Sequence, residues 1–428
     1  MKNIIFLLTD QQRYDTTTRD IMPNLNGLID DGTFFENCYT CQPVCGPARS
    51  CLQSGVYAEK TGCFKNGIAL PQNIKPLAGY FNENGYDTAY IGKWHLATGT
   101  DYNCETKPIP KDRLGGYRYF RGADVLEFTS NSEGGYIFDE DGNRIDFEGY
   151  RVDKIVDFAL EYLDNAESEK PFFMMISTLE PHHQNNEGHF RGYKETVDKF
   201  KSYEIPEDLK GSKGNANTEY ADYLSAINRI DFNLGRIVEK LKEKNIFDNT
   251  VIVYSSDHSC HFKTRNVEYK RSCHDNSIHI PLIISGGEFS GGKVDSRLVS
   301  LVDIPATILS IADIDVPKSY DGHSLQKTEN TRECVYVQIS ESQCGRAIRT
   351  DKYKYSVSIP GMIAGVSKKA SKVYFEDFLY DLENDPYEKN NLIRDKNYAM
   401  VKANLREMLL KEMEKAEGTR AKILPKIL

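Results

Sequence analysis

A chain of 428 residues can bury a large core and has room for more than one domain. Hydrophobic residues at 39% and charged residues at 27% are the proportions of an ordinary globular protein. The formal net charge of -9 argues against a broad nucleic-acid footprint and leaves room for a local basic pocket that takes an anion.

No apolar run is long enough to span a membrane. The apolar start, residues 4–8, is too short for a signal-peptide core and ends in Thr9-Asp10. The expected location is therefore cytoplasmic, with neither membrane nor nucleic acid as partner. Ten cysteines are present, five of them between 38 and 63, and a leaderless chain of this size is expected to keep its thiols reduced.

Residues 2–8 form an unbroken apolar run, the pattern of a buried parallel strand. Asp10 and Gln11 follow at once and offer hard oxygen ligands at the strand's end. Helix capping by Asp10 is the plainer alternative. Leu25, Leu28 and Ile29 predict a helix over 23–32. The stretch Cys45-Gly46-Pro47-Ala48-Arg49-Ser50-Cys51-Leu52-Gln53-Ser54-Gly55 reads as a loop turning into a helix. Pro43 and Gly46-Pro47 break regular structure, Pro47 suits a first helical position and Gly55 suits the close. Cys45 then lies beside a helix N-terminus, which favours an anion, and Arg49 is about one turn further on. A sulfur with a fixed cation beside it points to a reactive group. A buried inert thiol, or an iron–sulfur ligand together with Cys38 and Cys41, is the alternative.

A helix over 76–84 and a strand over 86–91 come next, followed directly by Lys93, Trp94 and His95. Lys93 and His95 are two apart, so in an extended segment they face the same way. Residues 97–150 are polar, Gly- and Tyr-rich and weakly periodic, which predicts an excursion over the active face and not a core layer. A helix over 151–163 precedes a buried strand over 171–177, which leads into His182-His183. The longest amphipathic helix covers 220–244, and a strand over 250–255 ends in Ser256-Asp257-His258. A strand over 280–285 and a helix over 299–312 follow. Four apolar strands thus run into polar clusters, and in an open α/β sheet ligands gather at the carboxyl ends of such strands. Beyond about 325 the texture changes. Alternation at 335–339 and 347–355 and the aromatic-rich 374–381 predict a smaller antiparallel sheet, with a charged helix over 397–416.

Cys45-x-Pro47-x-Arg49, with Leu52 and Ser54-Gly55 after it, resembles the signature of the type I sulfatases, the cysteine-type, formylglycine-dependent branch of the alkaline phosphatase superfamily. Residues 349–355 and 379–386 resemble their C-terminal subdomain. The resemblance implies an α/β fold: a large, mostly parallel sheet flanked by helices over 1–325, and an antiparallel subdomain over 326–428. It implies that a formylglycine-generating or anaerobic sulfatase-maturing enzyme oxidises Cys45 to formylglycine. It further implies that Asp10, Gln11, residue 45, Asp257 and His258 bind one divalent cation, usually Ca2+, with Mg2+ or Mn2+ as alternatives. Gln11 and His258 depart from the family's commonest Asp and Asn, which opens the choice of metal. Arg49 and Lys93 would hold the formylglycine diol and the sulfate, and His95 would bond the diol. His182 matches the histidine that assists the leaving group, and Lys270, ahead of Pro281-Leu282-Ile283, matches the second lysine on the sulfate.

His183, Arg265, His274 and Asp275, with the 97–150 segment, are the candidates for the substrate pocket. His274-Asp275 stands where the family often has an aromatic and an acidic residue, so a sugar sulfate is expected over an aryl sulfate. Three alternatives stay open: a choline-sulfate hydrolase, a phosphonate monoester or phosphodiester hydrolase of the same superfamily, and a non-catalytic binder of sulfated glycans.

Overall fold

The first strand sets the pattern. In β1 (Asn3–Asp10) every residue is buried, and alternate side chains enter two different cores. Ile4, Phe6 and Leu8 join one, Ile5 and Leu7 the other. Each such side chain contributes about 1.5–3 kcal/mol by leaving water, so an unbroken apolar run is what a strand covered on both faces requires. The computed structural model describes residues 1–426 apart from 100, 167–169, 186, 212, 330, 360 and 362–365.

Ten further strands join β1 in one sheet. They are β2 (Thr33–Tyr39), β3 (Asp87–Lys93), β4 (Tyr119–Ala123), β5 (Ser130–Asn131), β6 (Gly134–Asp139) and β7 (Arg144–Glu148), then β8 (Phe172–Pro181), β9 (Thr250–Ser256), β10 (Leu282–Ser285) and β11 (Lys293–Ser300). Their order is β11-β2-β10-β9-β1-β8-β3-β4-β6-β5, with β7 on β6. The run β9-β1-β8-β3-β4 is parallel throughout. β10 is antiparallel to both β9 and β2, and the β5–β7 group is antiparallel.

Helices Pro23–Asp31, Arg151–Asn165 and Ala216–Glu243 cover one face of the sheet through residues such as Leu25, Val156 and Leu234. Helices Cys45–Ser54, Leu77–Glu83 and Asp303–Ile311 cover the other through Leu52, Phe81 and Ile308. A second sheet contains β12 (Val335–Ile339), β13 (Cys344–Arg349), β14 (Tyr353–Ile359), β15 (Val373–Asp381) and β16 (Lys422–Leu424) in that order. Helix Ala399–Glu417 packs on it with Leu405, Leu409 and Met413. The architecture is mixed α/β, a large sheet flanked by helices plus a smaller five-stranded sheet. Among the described residues no helix is long and apolar enough to cross a membrane.

Three expectations change. The 97–150 segment does contribute a core layer: β4 lies parallel to β3, and Phe120 is fully buried. Its strand is only five residues long and carries an arginine and a glycine, so no apolar run announces it. The alternation at 347–355 belongs to two strands, because Thr350 turns the chain by accepting from the Tyr353 N–H through its side chain. Residues 293–300 form β11, for which polar Lys293, Asp295 and Arg297 gave no signal.

Candidate active site

Because β1, β3, β8 and β9 are parallel, their carboxyl ends open on one rim. Asp10 ends β1, Lys93 ends β3, His182 follows β8, and Asp257 and His258 follow β9. The helix Cys45–Ser54 starts on Cys45 itself, two residues before the proline that sequence would place first. Val44 precedes it in extended backbone and Gly55 closes it at φ 68°.

Cys45 Sγ is the meeting point. It lies 2.8 Å from Lys270 Nζ, 3.2 Å from His258 Nε2 and 3.5 Å from Asp10 Oδ1. Burial opposes ionisation of this thiol, yet Lys270, Lys93 and His258 together pull it well below its ordinary value. One turn on, Arg49 faces Asp10 at 3.3 Å and Asp257 at 3.2 Å. Its guanidinium also donates to the Lys93 carbonyl at 2.9 Å and to Ser177 Oγ at 2.5 Å. Lys93 Nζ stands 2.9 Å from Asp10 Oδ2. Burial and Cys45 would raise Asp10, but Lys93, His182 and Lys270 hold it well below the usual carboxylate range. Asp257 moves the other way, pushed up by burial and by the Asp10 charge. His182 Nδ1 engages the His183 carbonyl at 2.6 Å, which leaves Nε2 facing Lys270 Nζ at 3.1 Å. Lys270 is 4% exposed, so it is no solvated surface lysine.

The residues fit a hard divalent cation. Ligand atoms of Asp10, Cys45, Asp257 and His258 all lie within 4.8 Å of one another and all four residues are buried. Gln11, in left-handed backbone at φ 74°, bonds Asp257 Oδ1 through its N–H at 3.2 Å. Its side-chain amide donates to Cys260, and its Oε1 is buried without a hydrogen-bond partner, as an oxygen reserved for an ion would be. Carboxylate and amide oxygens with one imidazole suit Ca2+, Mg2+ or Mn2+; the soft Cys45 sulfur does not, and an oxygen at residue 45 would.

His95 departs from the sequence reading. β3 ends at Lys93, and His95 sits at φ 62° with its N–H on the Asp124 carbonyl at 2.8 Å, so the two residues do not share one extended face. Lys93 and, less strongly, His95 favour the ionised form of the buried Glu127 carboxyl. His183 stacks between His182 and Tyr269, with both ring centroids 4.3 Å away. Burial and the neighbouring His182 and Lys270 keep it neutral. Arg265, His274 and Asp275 find their partners elsewhere. Arg265 donates to the carbonyls of Tyr387 and Glu388, His274 meets the Tyr380 hydroxyl at 3.0 Å, and Asp275 pairs with Lys354. These contacts join loops of the large sheet to β14, to β15 and to the segment after β15.

Sequence reasoning missed Glu127, whose Oε1 is 2.9 Å from Lys93 Nζ, and Ser177, which backs Arg49. Ser177 lies within an apolar strand, and Glu127 within a stretch without periodicity, so neither carried a signal. A cavity of about 510 Å³ is lined by Asn66, Asn266, Val267, Arg271, Glu341 and Val366, among others, and by none of the residues clustered around Cys45. Its walls are tied to the reactive loops. The Gly46 N–H donates to Asn66 Oδ1 at 2.9 Å, and Arg271, next to Lys270, pairs with Glu341 at 2.5 Å.

Comparison with known proteins gives a consistent picture. The family model described as sulfatase matches residues 2–314, and one described as N-sulphoglucosamine sulphohydrolase, C-terminal, matches 267–415. The chain is 28% identical to the uncharacterized sulfatase YidJ of Escherichia coli strain K12, covering 96% of this chain and 87% of that one. It is 25% identical to an N-acetylglucosamine-6-O-sulfatase of Bacteroides thetaiotaomicron, covering 95% and 85%. A structure solved with its substrate D-glucosamine-2-N,6-O-disulfate superposes with a TM-score of 0.76 at 21% identity, covering 97% and 98%. At that identity the superposition speaks for the fold alone.

Proposed function

The chain belongs to the sulfatase family and is a sulfuric ester hydrolase; from that premise we propose that it cleaves a sulfate monoester of a carbohydrate, using an oxidised Cys45 and one divalent cation. The observation that carries the reading is the placement of Cys45 Sγ among Lys270, His258 and Asp10 at a helix start, with Arg49 and Lys93 on the same carboxylate.

A sulfate ester carries charge that repels nucleophiles, and buried cations aimed at its oxygens offset that charge where it grows. Lys93 and Lys270 would hold the sulfate, and Arg49, paired with Asp10 and Asp257, would keep both carboxylates in position. Converted to formylglycine by a maturation enzyme, residue 45 would supply a hydrated aldehyde as oxygen nucleophile. Asp10, Gln11, Asp257 and His258 would hold the cation, Ca2+ by its oxygen-rich donors, which would add further positive charge at that oxygen. A diol oxygen of residue 45, losing its proton, would bond sulfur as the S–O bond to the alcohol breaks, and His182 Nε2, beside Lys270, would give the departing oxygen its proton; loss of the remaining diol proton then breaks the C–O bond to the sulfate, releases inorganic sulfate and restores the aldehyde. A sugar ester is favoured by the chain's likeness to an N-acetylglucosamine-6-O-sulfatase over 95% of its length.

The test is release of inorganic sulfate by the matured protein from 6-O-sulfated glucosamine, choline sulfate and an aryl sulfate. An aryl phosphonate monoester is scored for phosphonate release. The account predicts fastest sulfate release from the sugar. Faster cleavage of the phosphonate, or preference for choline sulfate, would contradict it.

A further inference from the structure

Glu127 is a buried charge beside Cys45's neighbours that the chemistry above does not use. It lies on the one-turn helix Leu126–Thr129, directly after β4, and β4 pairs with β3 so that Ala123 sits opposite Lys93. The register delivers its carboxylate to the lysine. Glu127 Oε1 and Asp10 Oδ2 each stand 2.9 Å from Lys93 Nζ, and the lysine is wholly buried. Asp10 is shared with Arg49, whereas among the described residues Glu127 pairs with Lys93 alone. The other oxygen, Glu127 Oε2, is buried without a hydrogen-bond partner, an arrangement that costs free energy. Burial would raise this carboxyl, but Lys93, His95 and His182 hold it down at about 2, so it stays ionised.

The effect on an incoming anion follows from charge. Arg49, Lys93 and Lys270 are the fixed cations near Cys45, and Asp10, Asp257 and Glu127 are the carboxylates that face them. A fixed carboxylate repels a doubly charged ligand twice as strongly as a singly charged one. At an effective dielectric near 20, a fixed charge within roughly ten ångströms changes affinity by on the order of tenfold per unit of ligand charge. A sulfate monoester carries one negative charge, whereas a phosphate monoester carries nearly two at neutral pH.

We propose that Glu127 is a charge-selecting positioning residue: it fixes Lys93 and lowers the positive charge of the anion pocket by one unit, so that a sulfate ester is preferred over a phosphate ester. The proposal rests on the sulfate-ester reading above.

Two probes of one shape and different charge test it, benzenesulfonate and phenylphosphonate, at a pH above the second ionisation of the phosphonate. Neither contains an ester bond. Their dissociation constants are measured by calorimetry on the full chain loaded with Ca2+, for the parent, Glu127→Gln and Glu127→Asp. The expected result is that Glu127→Gln shifts the affinity ratio towards phenylphosphonate by roughly tenfold, while Glu127→Asp stays near the parent ratio. Glu127→Met, which keeps the length without the charge, carries the same expectation should the glutamine variant not fold. Equal changes for both anions would reduce Glu127 to a strut and overturn the proposal, as would failure of every protein to bind either probe. The shifted ratio supports the charge assignment even in a protein that releases no sulfate, so failure of the hydrolase reading shows separately.

Discussion

His182 and Lys270 work as a pair, and their geometry divides the labour. His182 Nε2 lies 3.1 Å from Lys270 Nζ, which is itself 2.8 Å from Cys45 Sγ. On the proposed reading, an ammonium held that close to residue 45 would serve the anion, and the imidazole behind it would serve the alcohol that leaves. The need for a proton grows with the basicity of that alcohol. His182→Ala should therefore slow cleavage of a sugar sulfate by about 10²–10⁴-fold while slowing 4-nitrophenyl sulfate far less. Steady-state rates on the two esters check this, and equal losses on both would assign His182 to binding. At this scale the sequence was informative wherever a polar residue ended an apolar strand, as at Asp10, Lys93, His182 and Asp257. It did not show the partners of Arg265, His274 and Asp275. These lie close to Lys270 along the chain, yet the loop carries them to Glu388, Tyr380 and Lys354.

At the scale of elements, the site depends on how closely β3 and β8 approach. Gly92 precedes Lys93 at φ 108°, and a Cβ there would stand 2.0 Å from the Ser177 carbonyl oxygen on the neighbouring strand. No side chain fits without parting the strands whose ends carry Lys93 and His182. Gly92→Ala should destabilise the protein by about 1–3 kcal/mol through strain and reduce turnover beyond what the lost stability explains. Denaturant unfolding alongside kcat measured far below the melting transition separates the two effects. An alanine variant with parent stability and parent kcat would contradict the close-approach argument. The central strands were legible because burial on both faces demands unbroken apolar runs, as in β1 and β8. β4 and β11 were not, since short or edge strands mix in Arg121, Lys293 and Asp295 and lose the pattern.

Across the whole molecule, two sheets share one core. Tyr336, Tyr355 and Leu379 of the second sheet join the same apolar cluster as Ala48 and Leu52 of the helix that begins on Cys45. The second sheet also reaches the reactive loops directly. Asn66 receives Gly46 on one side and donates its own N–H to Glu341 on the other, and Arg346 pairs with Glu59. The change of texture near 325 announced a second sheet, but not this connection, because Glu341 and Asn66 are distant in sequence and belong to no motif.

The proposed hydrolysis turns on what residue 45 becomes. The decisive measurement is the mass of the peptide spanning Cys45, from full-length protein made together with a sulfatase-maturing enzyme. The account predicts an aldehyde in place of the thiol, and no sulfate release from protein in which Cys45 is replaced by alanine. A thiol that persists beside a competent maturation enzyme, or substantial turnover by the alanine variant, would contradict it.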